Sequence, residues 1–396
     1  MQKNNNHLVR TISALAAARL FNNMSRRFAY PFIPAIGRAL GVSTGSIQGA
    51  MATQAGVGII SPIFGPLSEL YGRKRVLLLA MALMGLGAVP GIVAPTYGVF
   101  YVVMILFGLS KIIFDPAMQA YIGDLVPYHY RGRAIGSTEL AWAGSLIVAA
   151  PLTGFLLDKM GLSAVFVMLF IASTAGFGLI WYYVPSDKPD KTAQVPNFFE
   201  GLKIVRNSPV ATAALIYTLL FITANELVTI SFARWMETTF DLKLTALGTS
   251  AVVIALAEVT GEFMVIGLAD RLGKKRLTLF GVLGAALMYL TLTRLSSLTA
   301  ALVGLFLVYL FVETAIVSSI PLFTEILPSA RAVMMSASVA GHSIARFTGG
   351  LMGIQIYNWG NFDAIGAVAA ALCLTALIVM WGSIHENHSS STIGAT

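Results

Sequence analysis

Apolar residues occupy most of the chain in long stretches, and short polar or turn-rich breaks separate these stretches. A helix needs about 20 mainly apolar residues to cross a lipid bilayer. Twelve stretches of the chain satisfy this condition and predict twelve membrane-spanning helices, named spans 1 to 12. Their predicted bounds are 11–37, 44–69, 76–95, 98–125, 132–157, 162–184, 209–235, 245–269, 277–294, 298–326, 330–356 and 362–384.

One break is much longer than the others and divides the spans into two sets of six. It runs from Pro185 to Ser208 and is rich in lysine, aspartate and proline. We therefore predict three parts: an N-terminal six-helix half at 1–184, a cytoplasmic central loop at 185–208, and a C-terminal six-helix half with a short polar tail at 209–396.

The amino-acid composition agrees with a membrane protein. Of the 396 residues, 57% are hydrophobic and 11% are charged, and the mean hydropathy is +0.78. A soluble domain carries about 25% charged residues, so this chain has too few polar residues to cover a globule in water. The net charge of +8 would suit nucleic-acid binding in a soluble protein. In a membrane protein, basic loops on the cytoplasmic side explain such an excess, so we expect no nucleic-acid partner.

Lysine and arginine are distributed unevenly between the two sides of the predicted spans. The loops and termini on the side of the N-terminus carry 16 of these residues, and the loops on the opposite side carry 4. Cytoplasmic loops are the ones enriched in lysine and arginine. We therefore expect a multi-pass protein of the cell (inner) membrane, with the central loop and both termini in the cytoplasm.

A short charged sequence after span 2 recurs after span 8. The first copy, FGPLSELYGRKR, begins at Phe64, and the second copy, VIGLADRLGKKR, begins 201 residues later at Val265. The same spacing pairs Asp124 with Glu325 at the ends of spans 4 and 10. Weak internal symmetry of this kind is typical of secondary transporters, which place their binding site at the interface of two repeats.

Both copies resemble the signature G-x-L-A-D-R-x-G-R-K of the major facilitator superfamily (MFS). The first copy agrees with it at Gly65, Leu67, Gly72, Arg73 and Lys74, and the second copy at Leu268, Ala269, Asp270, Arg271, Gly273 and Lys275. The number of spans, their orientation and the repeat extend this resemblance over the whole chain. It implies an all-α membrane protein with the MFS fold, in which twelve transmembrane helices form two parallel six-helix repeats.

The two copies are candidate latches on the cytoplasmic side. An acid at a helix end can accept hydrogen bonds from the amides of a neighbouring helix or pair with an arginine. We therefore expect Glu69 and Asp270 to hold that side closed in one state of a transport cycle. The alternative is that each copy only binds its loop to the anionic surface of the membrane.

Ionisable residues inside the spans are costly and mark a pathway, a coupling site or a buried pair. The resemblance implies that spans 1, 4, 7 and 10 line a central cavity. Salt bridges that only fix contacts between helices are the alternative for several of these residues. The candidate cavity residues are Arg26, Arg27, Tyr30, Asp115, Gln119, Asn225, Glu226, Glu313, His342 and Arg346.

Carboxylates in the spans are candidates for proton coupling. Glu258 and Glu262 lie one helical turn apart in span 8, and two acids so close in a low dielectric do not both ionise easily. A carboxyl group that titrates near neutral pH is what a proton-coupled carrier needs. Alternatively, one of these two glutamates pairs with a basic residue of span 11, Arg346 or His342. The candidates for proton coupling are Asp115, Glu226, Glu258, Glu262 and Glu313.

Arg26 lies near the middle of span 1, where facing lipid costs an arginine roughly 3 kcal/mol or more. It therefore needs an acid, a water-filled cavity or a substrate. One interpretation is an ion pair with Asp115 of span 4, which we expect at a similar depth. The other is a free Arg26 in the cavity, which favours anionic or zwitterionic substrates.

These features predict a secondary transporter that exports a small organic molecule by proton antiport with alternating access. The stretch around Pro151 resembles an element of antiporters in the superfamily, although two of its glycines are missing. One alternative is proton-coupled or facilitated uptake of an anionic or zwitterionic metabolite, and another is a membrane receptor that does not transport.

The sequence contains no nucleotide-binding loop, metal-binding spacing or nucleophile motif, and these are the patterns that carry primary active transport and enzymatic catalysis. We therefore expect neither an enzyme nor a cofactor or metal. The expected partners are the lipid bilayer, a small-molecule substrate and protons as coupling ion, and the protein is expected to be a monomer.

Overall fold

The computed structural model of the protein describes residues 2–64, 67–126, 128–187, 203–327 and 331–384. It describes the backbone alone at 2–7, 62–63, 67, 69, 128–137, 270 and 331–332. This part of the chain is helical almost throughout and contains no strand. Helices satisfy their backbone hydrogen bonds internally, as lipid requires, and the predicted all-α membrane fold is confirmed.

The helices follow the predicted spans. In the N-terminal half they are Gln2–Arg27, Ile33–Leu40, Thr44–Gly56, Ser61–Phe64, Leu67–Tyr71, Arg73–Val93, Tyr97–Leu125, Tyr128–Lys159 and Leu162–Tyr183, with 3₁₀ turns at Tyr30–Phe32 and Val57–Ile60. In the C-terminal half they are Pro209–Phe240, Leu244–Leu272, Lys274–Leu292, Leu298–Ile326 and Arg331–Ser383. The last helix has non-helical backbone at Gly360 and Asn361, so it comprises spans 11 and 12.

Nine helical segments of the described chain are long and apolar enough to cross a membrane, and one of them covers both span 11 and span 12. Spans 1 and 2 are absent from this set for physical reasons. Span 1 carries several arginines and is interrupted at Tyr30–Phe32, and span 2 is interrupted at Val57–Ile60. The interrupted segments lie against other helices, where irregular backbone and buried charges find protein partners.

Equivalent ion pairs stabilise the turns of the two halves. Arg73, at the start of span 3, pairs with Asp124 at the end of span 4. Lys274, at the start of span 9, pairs with Glu325 at the end of span 10, with 3.5 Å between the charged atoms. The spacing of 201 residues relates Arg73 to Lys274 and Asp124 to Glu325. The predicted internal repeat is therefore confirmed by matching contacts.

The predicted latch residues are described in part. Gly72 and Gly273 both turn with a φ of 88°, a conformation that glycine adopts without steric cost. Arg271 is exposed, and Lys275 donates to the carbonyl oxygen of Trp381 at 2.9 Å. The latch acids themselves stay a prediction, because the side chains of Glu69 and Asp270, together with Gly65, lie outside the described residues.

An acid of the central loop holds the beginning of span 3. The carboxylate of Asp187 accepts hydrogen bonds from the backbone amides of Arg73 and Lys74 at 2.6 and 3.0 Å. These amides have no partner inside the helix, and a negative charge at this end also compensates the helix dipole. The central loop therefore takes part in the charged cluster that the signature residues build.

The two halves meet closely on the membrane side opposite to the N-terminus. Arg38 and Glu237 form an ion pair between the halves there, with 2.6 Å between the charged atoms. Spans 5 and 8 approach at a glycine, since a Cβ atom on Gly248 would lie 2.5 Å from the carbonyl oxygen of Ala150. The space between the halves is therefore closed on that side.

Candidate functional site

A cavity lies between the halves, at the middle of the spans. It contains about 570 Å³ of space not filled by atoms, including its open side. Residues of spans 1, 5, 7, 8, 10 and 11 line it. Seven residues singled out from the sequence are among them: Arg27, Tyr30, Asn225, Glu226, Glu258, Glu313 and Arg346.

Arg27 of span 1 and Glu258 of span 8 join the two halves in this cavity. The two Nη atoms of Arg27 donate to the two carboxylate oxygens of Glu258 at 2.8 and 2.9 Å. Only 7% and 6% of their side-chain surfaces are exposed. Trp142 of span 5 donates to the same carboxylate at 3.3 Å, and its ring lies 4.4 Å from the guanidinium. Bidentate, charge-assisted bonds of this kind are strong and directional.

Neutral hydrogen-bond donors also connect the halves near the cavity. The hydroxyl of Tyr30 in span 1 donates to Oε1 of Glu226 in span 7 at 2.9 Å. The side-chain amide of Gln48 in span 2 donates to the carbonyl oxygen of Ile230 at 3.0 Å. Any movement of one half against the other must break or rearrange these bonds together with the ion pair.

Arg26 and Arg346 have no acidic partner within 4.0 Å among the residues with described side chains. The guanidinium of Arg346 lines the cavity and lies 5.5 Å from the centre of the Trp142 ring. Nε and Nη2 of Arg26 are buried without a hydrogen-bond partner. The two arginines are electrostatic neighbours of each other. A buried charge without a partner is costly, so this end of the site attracts an anionic group.

Glu262 of span 8 and Glu313 of span 10 are the acidic counterparts of these arginines. Both are buried, with 6% and 9% of their surfaces exposed. Neither forms a hydrogen bond or ion pair with a side chain that the structure describes. Their charged neighbours are mostly other acids, including Glu258 and Glu139. This end of the site attracts protons or a cationic group.

A separate charged cluster lies towards the N-terminal side of the membrane. Asp115 pairs with Lys111 at 2.6 Å and with Arg19 at 3.4 Å, and Arg19 also pairs with Glu139 at 2.7 Å. The interpretation that pairs Arg26 with Asp115 is therefore wrong, and the alternative of a free Arg26 stays a prediction. Asp115 lies at the level of Arg19, about two helical turns away from Arg26 along span 1.

Asp115→Asn is expected to destabilise the protein, because it leaves Arg19 and Lys111 with a single acid between them. Loss of a charged acceptor in a partly buried cluster costs about 1–3 kcal/mol. The double variant Lys111→Met with Asp115→Asn balances the charges again and should recover much of the loss. Thermal unfolding in detergent measures both effects, and an unchanged melting temperature for Asp115→Asn would contradict a stabilising role of the cluster.

Four predicted cavity residues are not among those that line the cavity: Arg26, Asp115, Gln119 and His342. Gln119 is exposed, one turn beyond Asp115 in span 4. Nδ1 of His342 lies 2.8 Å from the carbonyl oxygen of Ser338 in its own helix, beside a smaller pocket. Glu258 pairs with Arg27 of span 1, and Glu262 has no ionic partner among the described side chains, so the alternative that a glutamate of span 8 pairs with Arg346 or His342 is wrong.

Sequence reasoning missed three polar residues of the cavity: Trp142, Thr229 and Tyr309. The hydroxyls of Thr229 and Tyr309 lie 2.9 Å apart and connect spans 7 and 10. Thr229 follows Glu226 by three positions, and Tyr309 precedes Glu313 by four. Helical residues at these spacings share a face, which is the signal that would have found both of them.

Comparisons with known proteins agree with this architecture. The model of the Major Facilitator Superfamily matches residues 15–312 and 215–394. The chain is 21% identical over 351 residues to the uncharacterized MFS-type transporter YceJ of Bacillus subtilis, a match that covers 87% of this chain and 90% of the relative.

Two further similarities concern proteins whose names state an activity. The chain is 23% identical over 281 residues to a multi-drug resistance efflux pump PmrA homolog of Lactococcus lactis, with 67% of this chain and 68% of the relative covered. Its fold is similar to that of a D-xylose-proton symporter, with a TM-score of 0.81, 16% identity, and coverage of 96% of this chain and 98% of the symporter.

Proposed function

Since the chain belongs to the major facilitator superfamily, we propose that it is a proton-coupled exporter of small organic molecules. The observation that carries this proposal is a polar cavity between the halves, where a buried ion pair joins spans 1 and 8 beside two acids without a described partner. Binding sites at the interface of two repeats are typical of secondary transporters.

Alternating access gives the contacts between the halves their proposed roles. The halves rock around the cavity and open it to one side of the membrane at a time. The pair of Arg38 with Glu237 and the close approach at Gly248 then close the side opposite to the N-terminus. The pair of Arg27 with Glu258 holds the halves together near the substrate.

Glu262 and Glu313 are the proposed proton-binding residues. Each lies among other acids in a low dielectric, so protonation removes electrostatic repulsion. A substrate with a cationic group competes with protons for the same carboxylates, and such competition is the basis of antiport. The other proposed coupling candidates, Asp115, Glu226 and Glu258, already accept hydrogen bonds from described side chains.

Export as the direction of transport is supported by the relative named as a multi-drug resistance efflux pump. The stretch around Pro151, which resembles an antiporter element, agrees with it. Uptake of an anionic or zwitterionic metabolite is the second candidate function. It is favoured by Arg26 and Arg346, which have no acid within 4.0 Å among the described side chains.

The proposed location is the cell (inner) membrane, with both termini in the cytoplasm. This orientation rests on the 16 lysines and arginines on the side of the N-terminus, compared with 4 on the opposite side. We propose that the protein works as a monomer, because one chain supplies both six-helix halves around a complete cavity.

Glu262→Gln and Glu313→Gln are expected to uncouple transport from protons. Substrates are first identified by thermal shift of the detergent-solubilised protein with a panel of small organic compounds. In liposomes, transport driven by a pH gradient should fall at least about tenfold, because a neutral amide cannot carry a proton. Exchange of substrate against substrate, which moves no proton, should continue.

Glu325→Gln serves as the control, because this acid is partly exposed and pairs with Lys274 far from the cavity. It should keep gradient-driven transport. Proton-driven transport at the parent rate in both cavity variants would show that coupling lies at another residue.

A further inference from the structure

Charged groups without an ionic partner among the described side chains lie at and around the cavity, and the basic and acidic ones belong to different spans. Arg346 of span 11 and Glu313 of span 10 line the cavity, whereas Arg26 of span 1 and Glu262 of span 8 are their charged neighbours outside its lining. The charged neighbours of Arg346 include Arg26 and also Glu226, whose carboxylate accepts a hydrogen bond from Tyr30, and those of Glu313 include Glu262 and Glu258. In the ion pair between spans 1 and 8, the charges of Arg27 and Glu258 cancel each other. The site therefore has a basic end and an acidic end.

The basic end is suited to a carboxylate. The guanidinium of Arg346 reaches the cavity, and the side chains described around it place no carboxylate within 4.0 Å. The nearby Glu226 already accepts a hydrogen bond from Tyr30. A guanidinium binds a planar carboxylate through two parallel hydrogen bonds, and Arg26 adds a second positive charge.

The acidic end is suited to an ammonium group. Glu313 lines the cavity, is 9% exposed, and has no hydrogen-bond or ionic partner among the described side chains. Span 8 approaches it at Gly261, where a Cβ atom would lie 2.9 Å from that of Glu313. Because span 8 packs so closely against the base of this side chain, the carboxylate finds its polar surroundings in the cavity.

Aromatic side chains line the same cavity as the two ends. Trp142, Phe232 and Tyr309 border the cavity together with Tyr30. Their rings present apolar faces, and the polar tips of Trp142 and Tyr30 donate hydrogen bonds to Glu258 and Glu226. Aromatic rings pack well against one another, so the middle of the site suits a flat apolar body.

We propose that the cavity binds a small aromatic zwitterion, with its carboxylate at Arg346 and its amine at Glu313. A ligand excludes water from the site, and a charge that is then left without a partner is costly. A simple anion leaves the acidic end uncompensated, and a simple cation leaves the basic end uncompensated. This inference rests on the proposed function in one respect: it takes the cavity as the transport site.

Three probes that share one ring and differ only in charge test the inference. They are 4-(aminomethyl)benzoate, a zwitterion; 4-methylbenzoate, an anion; and 4-methylbenzylamine, a cation. Dissociation constants are measured by titration calorimetry on the purified full-length protein in detergent. The zwitterion should bind at least about tenfold more tightly than either probe with one charge.

Charge-removing variants assign each end. Arg346→Gln should weaken both carboxylate probes at least about tenfold and leave 4-methylbenzylamine within about twofold. Glu313→Gln should weaken both amine probes and leave 4-methylbenzoate unchanged. Arg234→Gln and Glu325→Gln are matched controls, because these residues contact Asn358 and Lys274 outside the cavity.

Equal binding of the three probes, binding of none of them, or losses that do not follow probe charge would overturn the inference. Binding in detergent needs neither a membrane nor a pH gradient. If binding follows probe charge as expected but no proton-driven transport is found, the proposed function is contradicted and the zwitterion inference is not. Proton-driven export of compounds with a single charge would contradict the zwitterion alone.

Discussion

Arg27→Gln is expected to abolish transport and to lower the melting temperature more than removal of any surface charge. The change leaves the carboxylate of Glu258 buried without its bidentate partner, although Trp142 still donates one hydrogen bond. Removing one partner of a buried ion pair costs about 3–5 kcal/mol. Glu258→Gln should act similarly, because it leaves the guanidinium without a counter-charge. Thermal unfolding in detergent and transport in liposomes measure the two effects.

The double variant Arg27→Leu with Glu258→Leu separates stability from function. Apolar replacement of a whole buried pair is often neutral for stability, so the melting temperature should recover while transport stays absent. Arg38→Gln is the matched control. Arg38 also forms an ion pair that joins the halves, but 60% of its side-chain surface is exposed. Exposed pairs contribute about 0–1 kcal/mol. Equal losses in Arg27→Gln and Arg38→Gln would contradict a special role for the buried pair.

The fold could be predicted from the sequence because lipid imposes a length and a polarity on each helix. The break from Pro185 to Ser208 separated the halves, and the spacing of 201 residues related them. Arg73 and Lys274 form ion pairs at equivalent positions of the two halves, so the repeat extends to individual contacts. Boundaries were less predictable where a 3₁₀ turn interrupts a span, as at Tyr30–Phe32.

Much of the candidate site could also be found by asking where a lipid environment would make a charge costly. Glu226, Glu258, Glu313 and Arg346 were singled out on this ground, and all four line the cavity. The argument works because it needs only the depth of a residue along its span, which the sequence supplies directly.

The pairing of these charges could not be predicted, because it depends on how each helix is rotated. Arg26 and Arg27 are neighbours in sequence but point about 100° apart on a helix. One of our two interpretations paired Arg26 with an acid, whereas Arg27 forms the ion pair between the halves. Its partner Glu258 is 231 residues away, which differs from the repeat spacing of 201 residues, so the repeat does not predict this pair.

Gly248→Val is expected to lock the transporter open on the side opposite to the N-terminus. The added Cβ would lie 2.5 Å from the backbone oxygen of Ala150 and 3.0 Å from the ring of Phe32. A backbone oxygen cannot move aside alone, so spans 5 and 8 must separate. Overpacking costs about 1–3 kcal/mol, which shifts a two-state equilibrium by roughly 5- to 150-fold. Transport should fall by a similar factor, because the closed state is required once per cycle.

Cysteine labelling from the opposite side of the membrane measures this shift. Cys373 is the single cysteine and is buried, so a new cysteine at the cavity-lining position Ala251 reports with little background. A membrane-impermeant maleimide should react with it several-fold faster after Gly248→Val. Gly267→Val is the matched control in the same span, since a Cβ there would meet nothing within 4 Å. Equal labelling rates in the two variants would show that spans 5 and 8 do not form the closure, because the same side chain would then act alike at a crowded and an open position.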